Sequence, residues 1–302
     1  MIGELIREGW EYHETESERL AAELEAANLE DLEGDQFAEC LRLSNHTIGE
    51  HLADWPRARM FAEAVSRANT DQSNSATFNA NLAVARFMDG ADVAAQKAEI
   101  DALRASEDPI AIYLITKSLL ASALAGSGRF VDAGVVIDAA NRLAMGLERS
   151  EGFKRSMAVA NNNLANDLVE CENLDSTGSR LMEACATAAY IFWKRCGTWV
   201  NEERALYLLA LVHNRLGNHQ AGLQAAQSAL DVIMKNGEEP VDEAFIRMAA
   251  GVAFIGLSDV ESARVQLATA DALVESWSNE SLVSWYQSER ANVPIGRDGT
   301  DG

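Results

Sequence analysis

An all-α fold of about six consecutive helix pairs, flanked by helical segments at both ends, is what three features of this 302-residue sequence predict. Alanine, the best helix former, accounts for 50 residues. Only four prolines occur. Pro56, Pro109 and Pro240 stand where a first helical turn tolerates a missing N–H, and Pro294 lies beyond the last periodic segment. Small residues recur at intervals of about forty residues, the mark of a repeated supersecondary unit. Collagen-like, disordered and all-β chains do not fit this composition.

Residues 1–34 read as an N-terminal helical segment that stops at Gly34. Glu11–Asp35 carries ten acidic residues against Arg19, so this stretch supplies −9 of the formal net charge of −22. Its ordinary reading is a solvated helix face, its sharper one a docking surface for a basic partner, with Trp10 and Tyr12 beside it. His13 is expected to be solvated there.

The clearest unit of the repeat array, residues 35–279, is Glu203–Asn236. It reads as a helix, a Leu216-Gly217-Asn218 turn, and a second helix with Ala225, Ala226 and Ala229 on a small-residue seam, which lets two axes approach closely. Leu206, Leu209, Leu223 and Leu230 fill the groove between them. This segment resembles the tetratricopeptide repeat. That family's 34-residue pattern places small residues at positions 8, 20 and 27 and Gly at 15; here they are Ala210, Gly222, Ala229 and Gly217.

The same frame matches Ala76–Pro109 (Ala83, Gly90, Ala95, Ala102), Leu114–Leu147 (Ala121, Gly128, Ala133, Ala140) and Ala244–Trp277 (Gly251, Ala263, Ala270, with Ser258-Asp259 at the turn). Glu39–Gln72 fits with Ala58 and Val65 but sets His46 where a small residue belongs. A further unit begins near Ala158 with Ala165 and a longer loop, Glu172–Ser179, before a helix over Met182–Arg195. The resemblance covers about residues 36–277. Successive anchors lie more than 34 residues apart, and Asn162-Asn163-Leu164-Ala165 is similar to longer-period members. The family's Trp at position 4 is absent, and its Pro at position 32 is missing or displaced. The fold the resemblance implies is a right-handed α-α superhelix, a tetratricopeptide-like solenoid. Residues 280–291, presenting Leu282, Val283, Trp285 and Tyr286, read as a C-terminal capping helix, since open stacks must cover their ends. Residues 292–302 read as a disordered tail.

The charge balance, with five Lys among 25 basic residues, argues against binding nucleic acid or anionic membranes. The longest apolar stretch noted, Met248–Leu257, is too short to span a bilayer. Cys40, Cys171, Cys185 and Cys196 are irregularly spaced and read as reduced thiols. With a charged N-terminus in place of a signal peptide, a cytoplasmic location is expected.

Metal and cofactor chemistry is not expected. No His follows a Glu at Glu-x-x-His spacing, and His46/His51 and His213/His219 lack the four-residue spacing of adjacent α-helical turns. Gly126-Ser127-Gly128 lacks the Lys-Ser/Thr of a phosphate loop, and Gly197-Thr198 reads as a helix stop followed by a cap. Phe192, Trp193 and Trp199 follow the helical period and read as core.

What stands out is Asn161, Asn162, Asn163 and Asn166 within one helix, a run that costs about 2 kcal/mol against alanine. In the family it resembles, the first helix of each repeat lines the concave groove, where Asn can grip a peptide backbone. The frame then implies a peptide-binding set of Asn81, Asn162, Asn163, Asn166, Arg204, Tyr207 and Asn214. Bonding to neighbouring helices, or capping the Glu172–Ser179 loop, is the competing role for these amides. The expectation is a non-enzymatic scaffold that captures a peptide or helix of another protein. The alternative is a ligand- or peptide-responsive sensor on the same repeats. A homodimer formed through the terminal helices is a further expectation.

Overall fold

The structure, a computed structural model, describes residues 2–69, 75–147 and 151–293. The expected disordered tail therefore lies outside the described residues beyond Val293, as do Gln72 and Pro294. Every regular element among the described residues is helical. The contacts divide the chain into two units, Met1–Glu148 and Arg149–Gly302.

The first unit opens with α1 (Ile2–Tyr12) and α2 (Ser17–Ala26), with a short 3-10 turn at Leu29–Asp31. Both helices pack on α3 (Gln36–Ser44) or on the π-helical segment that extends it, Asn45–His51. Antiparallel pairs follow: α3 with α4 (Trp55–Ala68), α5 (Ala76–Met88) with α6 (Asp92–Ala105), and α7 (Pro109–Gly126) with α8 (Phe130–Gly146). The first helices α3, α5 and α7 touch in sequence. The second unit repeats this with α9 (Glu151–Glu170) and α10 (Ser176–Cys196), α11 (Trp199–Arg215) and α12 (His219–Asn236), and α13 (Pro240–Gly256) and α14 (Val260–Val274). Here α9, α11 and α13 are the contiguous row. Within each unit, three helix pairs with adjacent first helices give the tetratricopeptide-like pattern.

The small-residue frame explains the packing. Ala83, Ala95, Ala102, Ala121, Ala133, Ala140, Ala165, Ala210, Ala229, Ala263 and Ala270 are all buried. A Cβ added to Gly251 would stand 2.8 Å from the Leu267 side chain. Gly90, Gly128 and Gly217 close three turns with φ of +74°, +71° and +73°. In each, the next residue's N–H reaches back over the helix end, as Asn218 N–H does to His213 O at 2.8 Å; left-handed glycine termini of this kind are common. The α13–α14 turn uses Ser258 at φ +64° in the same place. Pro56, Pro109 and Pro240 stand in the first turns of α4, α7 and α13.

Several boundaries differ from the sequence reading. The N-terminal segment is broken at His13–Glu16 into two helices. Its acidic face is partly matched within the chain: Arg57 holds Glu25 at 2.7 Å and Glu18 at 3.0 Å, and Glu23 accepts Tyr12 Oη at 2.6 Å and Arg19 at 2.9 Å. The loop before α10 is shorter than expected because Asp175 caps the helix, accepting from the Thr177 and Gly178 N–H groups at 2.8 and 2.7 Å. Contrary to the expectation from Met248–Leu257, helix α7 carries only Lys117 as a charge and is long and apolar enough to cross a membrane. Its side chains from Ile112 to Ala125 are largely buried against α5, α6 and α8. Phe192 and Trp193 are core, and Trp199 packs beside the cluster of Leu206 and Ile233. Helix α15 (Glu280–Ala291) docks through buried Tyr286 against Phe245 and Trp277, its hydroxyl donating to Asp271 at 2.8 Å.

Candidate functional site

The row α9–α11–α13 carries six of the seven groove residues read from the sequence; Asn81 lies in the first unit. On α9, Asn161 is fully buried and donates to Met157 O at 2.8 Å. Asn166 donates to Asn162 O at 3.1 Å. Both are bonds to the carbonyl four residues back, the local alternative Asn offers a helix. Asn162 and Asn166 are half-buried, while Asn163 faces solvent.

Helix α11 starts at Thr198, whose N–H donates to Asn201 Oδ1 at 3.0 Å after Gly197 ends α10. Arg204 then projects toward α13, its Nε 2.8 Å from Asp242 Oδ2 and 3.7 Å from Glu203 Oε1. Its side chain remains 58% exposed. Beside it, Glu203 is wholly buried and neither carboxylate oxygen has a hydrogen-bond partner. Burial, with the nearby Asp242 carboxylate second, pushes its acid well above the ordinary carboxylate range. Tyr207 packs between the Leu206 and Phe245 clusters; burial, then Glu289 and Asp242, raise its phenol. Arg204 and Tyr207 thus sit in an acidic setting, with Asp242, Glu203 and Glu239 near the exposed guanidinium and Asp242 and Glu289 near the phenol.

Two predicted residues act as braces. Asn214 donates to Ala249 O on α13 at 2.8 Å and packs over Gly222, where a Cβ would meet its Oδ1 at 2.5 Å. Asn81 is 2% exposed, donates to Thr77 O at 2.9 Å, and offers its own carbonyl to Asn45 Nδ2 at 2.9 Å. For Arg204, Asp242 supplies a carboxylate from within the chain.

Sequence reading missed Glu203 and Asp242. Glu203 sits at the first position of the frame, but only packing reveals that it is buried. It also missed an open cavity of about 600 Å³ in the first unit, between α5, α6, α7 and the start of α8. There Lys117 Nζ lies 2.7 Å from Glu99, and Arg129 lies over the Phe87 ring. The histidines need correcting as well. His13 is not on a solvated face; its side chain is 14% exposed and lies against His46, His51 and Trp10. The spacing test for His46 and His51 assumed α-helical turns, and this segment is not α-helical.

No family model and none of the curated proteins matches the sequence. Among solved structures, the chain is similar to BtubC (BKLC) from P. vanneervenii, with a TM-score of 0.46 and 16% identity over 88% of this chain and 95% of that one. It is also similar to a tetratricopeptide repeat protein from Parabacteroides merdae, with a TM-score of 0.34 and 13% identity over 96% and 98%.

Proposed function

We propose that the chain is a non-enzymatic interaction scaffold that receives a peptide or helix of another protein along α9, α11 and α13. The observation that carries this reading is the placement of Asn163, exposed, and Asn162, half-exposed, in the middle of α9 on the row that also presents the Arg204–Asp242 pair. An amide both donates and accepts, matching a peptide group, and Asn in a helix interior costs stability relative to Ala. Because acids outnumber Arg204 in this setting, the favoured ligand carries basic side chains, which Asp242, Glu239 and Glu289 would attract, rather than a terminal carboxylate.

The test uses two full-length baits, wild type and Asn162→Ala/Asn163→Ala/Glu239→Gln, against native lysate and an array of basic, neutral and acidic peptides. The reading expects the triple variant to keep its helicity and melting temperature while losing one specific partner and the basic peptides. Identical partner sets on both baits would sink it. The first-unit cavity favours a second reading, a sensor for a small ligand, since about 600 Å³ is the size of ordinary ligand pockets. Thermal shifts against a metabolite and peptide panel test that reading, and a uniformly flat response counts against it.

A further inference from the structure

Between α3 and α4 the backbone leaves the α-helical register. Asn45–His51 is π-helical, with Leu52 N–H bonded to Thr47 O at 3.1 Å, five residues back. This wider turn lets residues five apart meet as well as residues four apart, and π segments of this kind occur often at functional sites. His46 and His51 therefore lie together, their ring centroids 4.6 Å apart and their Nε2 atoms 3.2 Å apart. His13, carried in by the break after α1, completes the group at centroid distances of 5.0 and 5.4 Å. One nitrogen from each of the three rings falls within 4.8 Å of the others.

We propose that His13, His46 and His51 bind one divalent transition-metal ion, Zn²⁺ being the best fit, and that this ion ties the end of α1 to the π turn. Zn–N bonds of 2.0–2.1 Å in a tetrahedron put ligand nitrogens about 3.3 Å apart. The observed 3.2 Å between His46 and His51 already meets this, and a small side-chain rotation of His13 closes the triangle.

The outer contacts set the tautomers. His13 Nδ1 lies 2.8 Å from Trp10 O, which can only accept, so Nδ1 carries the proton and Nε2 the lone pair. His46 Nδ1 lies 2.6 Å from Glu50 Oε2, which makes the same assignment. A carboxylate or carbonyl on the far nitrogen is the usual support for a metal-bound imidazole. Three imidazole donors select zinc, copper, cobalt or nickel over magnesium and calcium, which want oxygen. His51 faces solvent, so the fourth position is open to water, and the Glu14 carboxylate stands 3.7 Å from His13 Nε2.

The test is a calorimetric Zn²⁺ titration of chelator-stripped, full-length protein, with Co²⁺ absorption as the spectroscopic probe. Wild type, His51→Gln, His46→Gln, Glu50→Gln and the control His213→Gln/His219→Gln are compared, each checked for native helicity. His51 is exposed, so its variant is expected to fold. The proposal expects one equivalent of Zn²⁺, a melting temperature raised by several degrees, and no response to Mg²⁺ or Ca²⁺. It expects affinity to fall by tenfold or more in His51→Gln and His46→Gln with loss of the Co²⁺ band, and about tenfold in Glu50→Gln. The control should bind like wild type. Binding that is unchanged in the two histidine variants, and so belongs to the acidic surface, overturns the proposal. So does the absence of binding up to about 0.1 mM Zn²⁺.

Discussion

The π turn of the first unit and the α11–α13 step of the second use the same brace on different backbones. Asn45 Nδ2 donates to Asn81 O at 2.9 Å, and Asn214 Nδ2 donates to Ala249 O at 2.8 Å. The acceptor is the sixth residue of the following repeat frame in both, and in both the donor's Oδ1 is buried without a partner. What surrounds each brace differs. On α11 the α register turns Arg204 and Tyr207 toward α13 and leaves Glu203 buried behind them. In the first unit the π register brings His46 and His51 into one group with His13. A shared packing solution thus fixes the helix spacing, while local register decides which side chains meet.

The sharpest way to break this comparison is at the glycines that let the two regions close. A Cβ on Gly49 would stand 2.5 to 2.8 Å from the ring of Trp55, which is buried and donates to Ser127 Oγ at 3.0 Å. A locked indole cannot yield, so Gly49→Ala is expected to cost about 3 kcal/mol, at the upper end of overpacking effects. Gly251→Ala meets only Leu267 side-chain atoms, the nearest at 2.8 Å, which can shift, and should cost about 1 kcal/mol. Urea midpoints of the two variants measure the difference, and equal losses would mean the π turn is no tighter than the regular step.

Glu203 sharpens the other half. Its folded acid is raised by burial, whereas in the unfolded chain it ionises at the ordinary value of about 4.3. Between the two values the unfolded state holds fewer protons than the folded one, so stability falls as pH rises. The slope is on the order of 1 kcal/mol per pH unit; the contribution is complete below the unfolded value and lost as pH rises through the folded one. Glu203→Gln keeps the shape without the charge and should remove this component. The expected result is a stability gain of the variant over wild type that grows from pH 5 to pH 8. A constant difference would show that Glu203 is ionised when folded.

The legible parts of the fold were those that obey one period. The alanine seams, the turns at Gly90, Gly128 and Gly217, and α15 follow from helical spacing and backbone sterics that each residue type carries alone. His46 in a small-residue slot was the visible trace of the π turn, but its consequence depends on a hydrogen-bond register that the spacing does not state. Glu203 beside Arg204 was visible too. That one is buried and the other exposed, paired with Asp242 thirty-eight residues away, is set by how α11 meets α13. Asn81 and Asn214 matched the groove frame by position, yet their amides are held by carbonyls, a choice made only when helices pack.

The smallest effect belongs to the turn that departs from its equivalents. Ser258 holds φ +64° where Gly90, Gly128 and Gly217 hold nearly the same angle, and its turn makes the same pair of bonds, Ser258 N–H to Ile255 O at 2.9 Å and Asp259 N–H to Phe254 O at 2.9 Å. A left-handed L-residue costs about 1–2 kcal/mol, while glycine gives back part of that gain through the freedom it adds to the unfolded chain. Ser258→Gly should therefore stabilise the protein by about 0.5–1 kcal/mol, and Gly217→Ala should destabilise it by about 1 kcal/mol or more. Denaturant midpoints of both variants, read beside wild type, check the pair. If Ser258→Gly is neutral or destabilising, the left-handed angle carries no strain there, and the four turns are alike in geometry but not in energy.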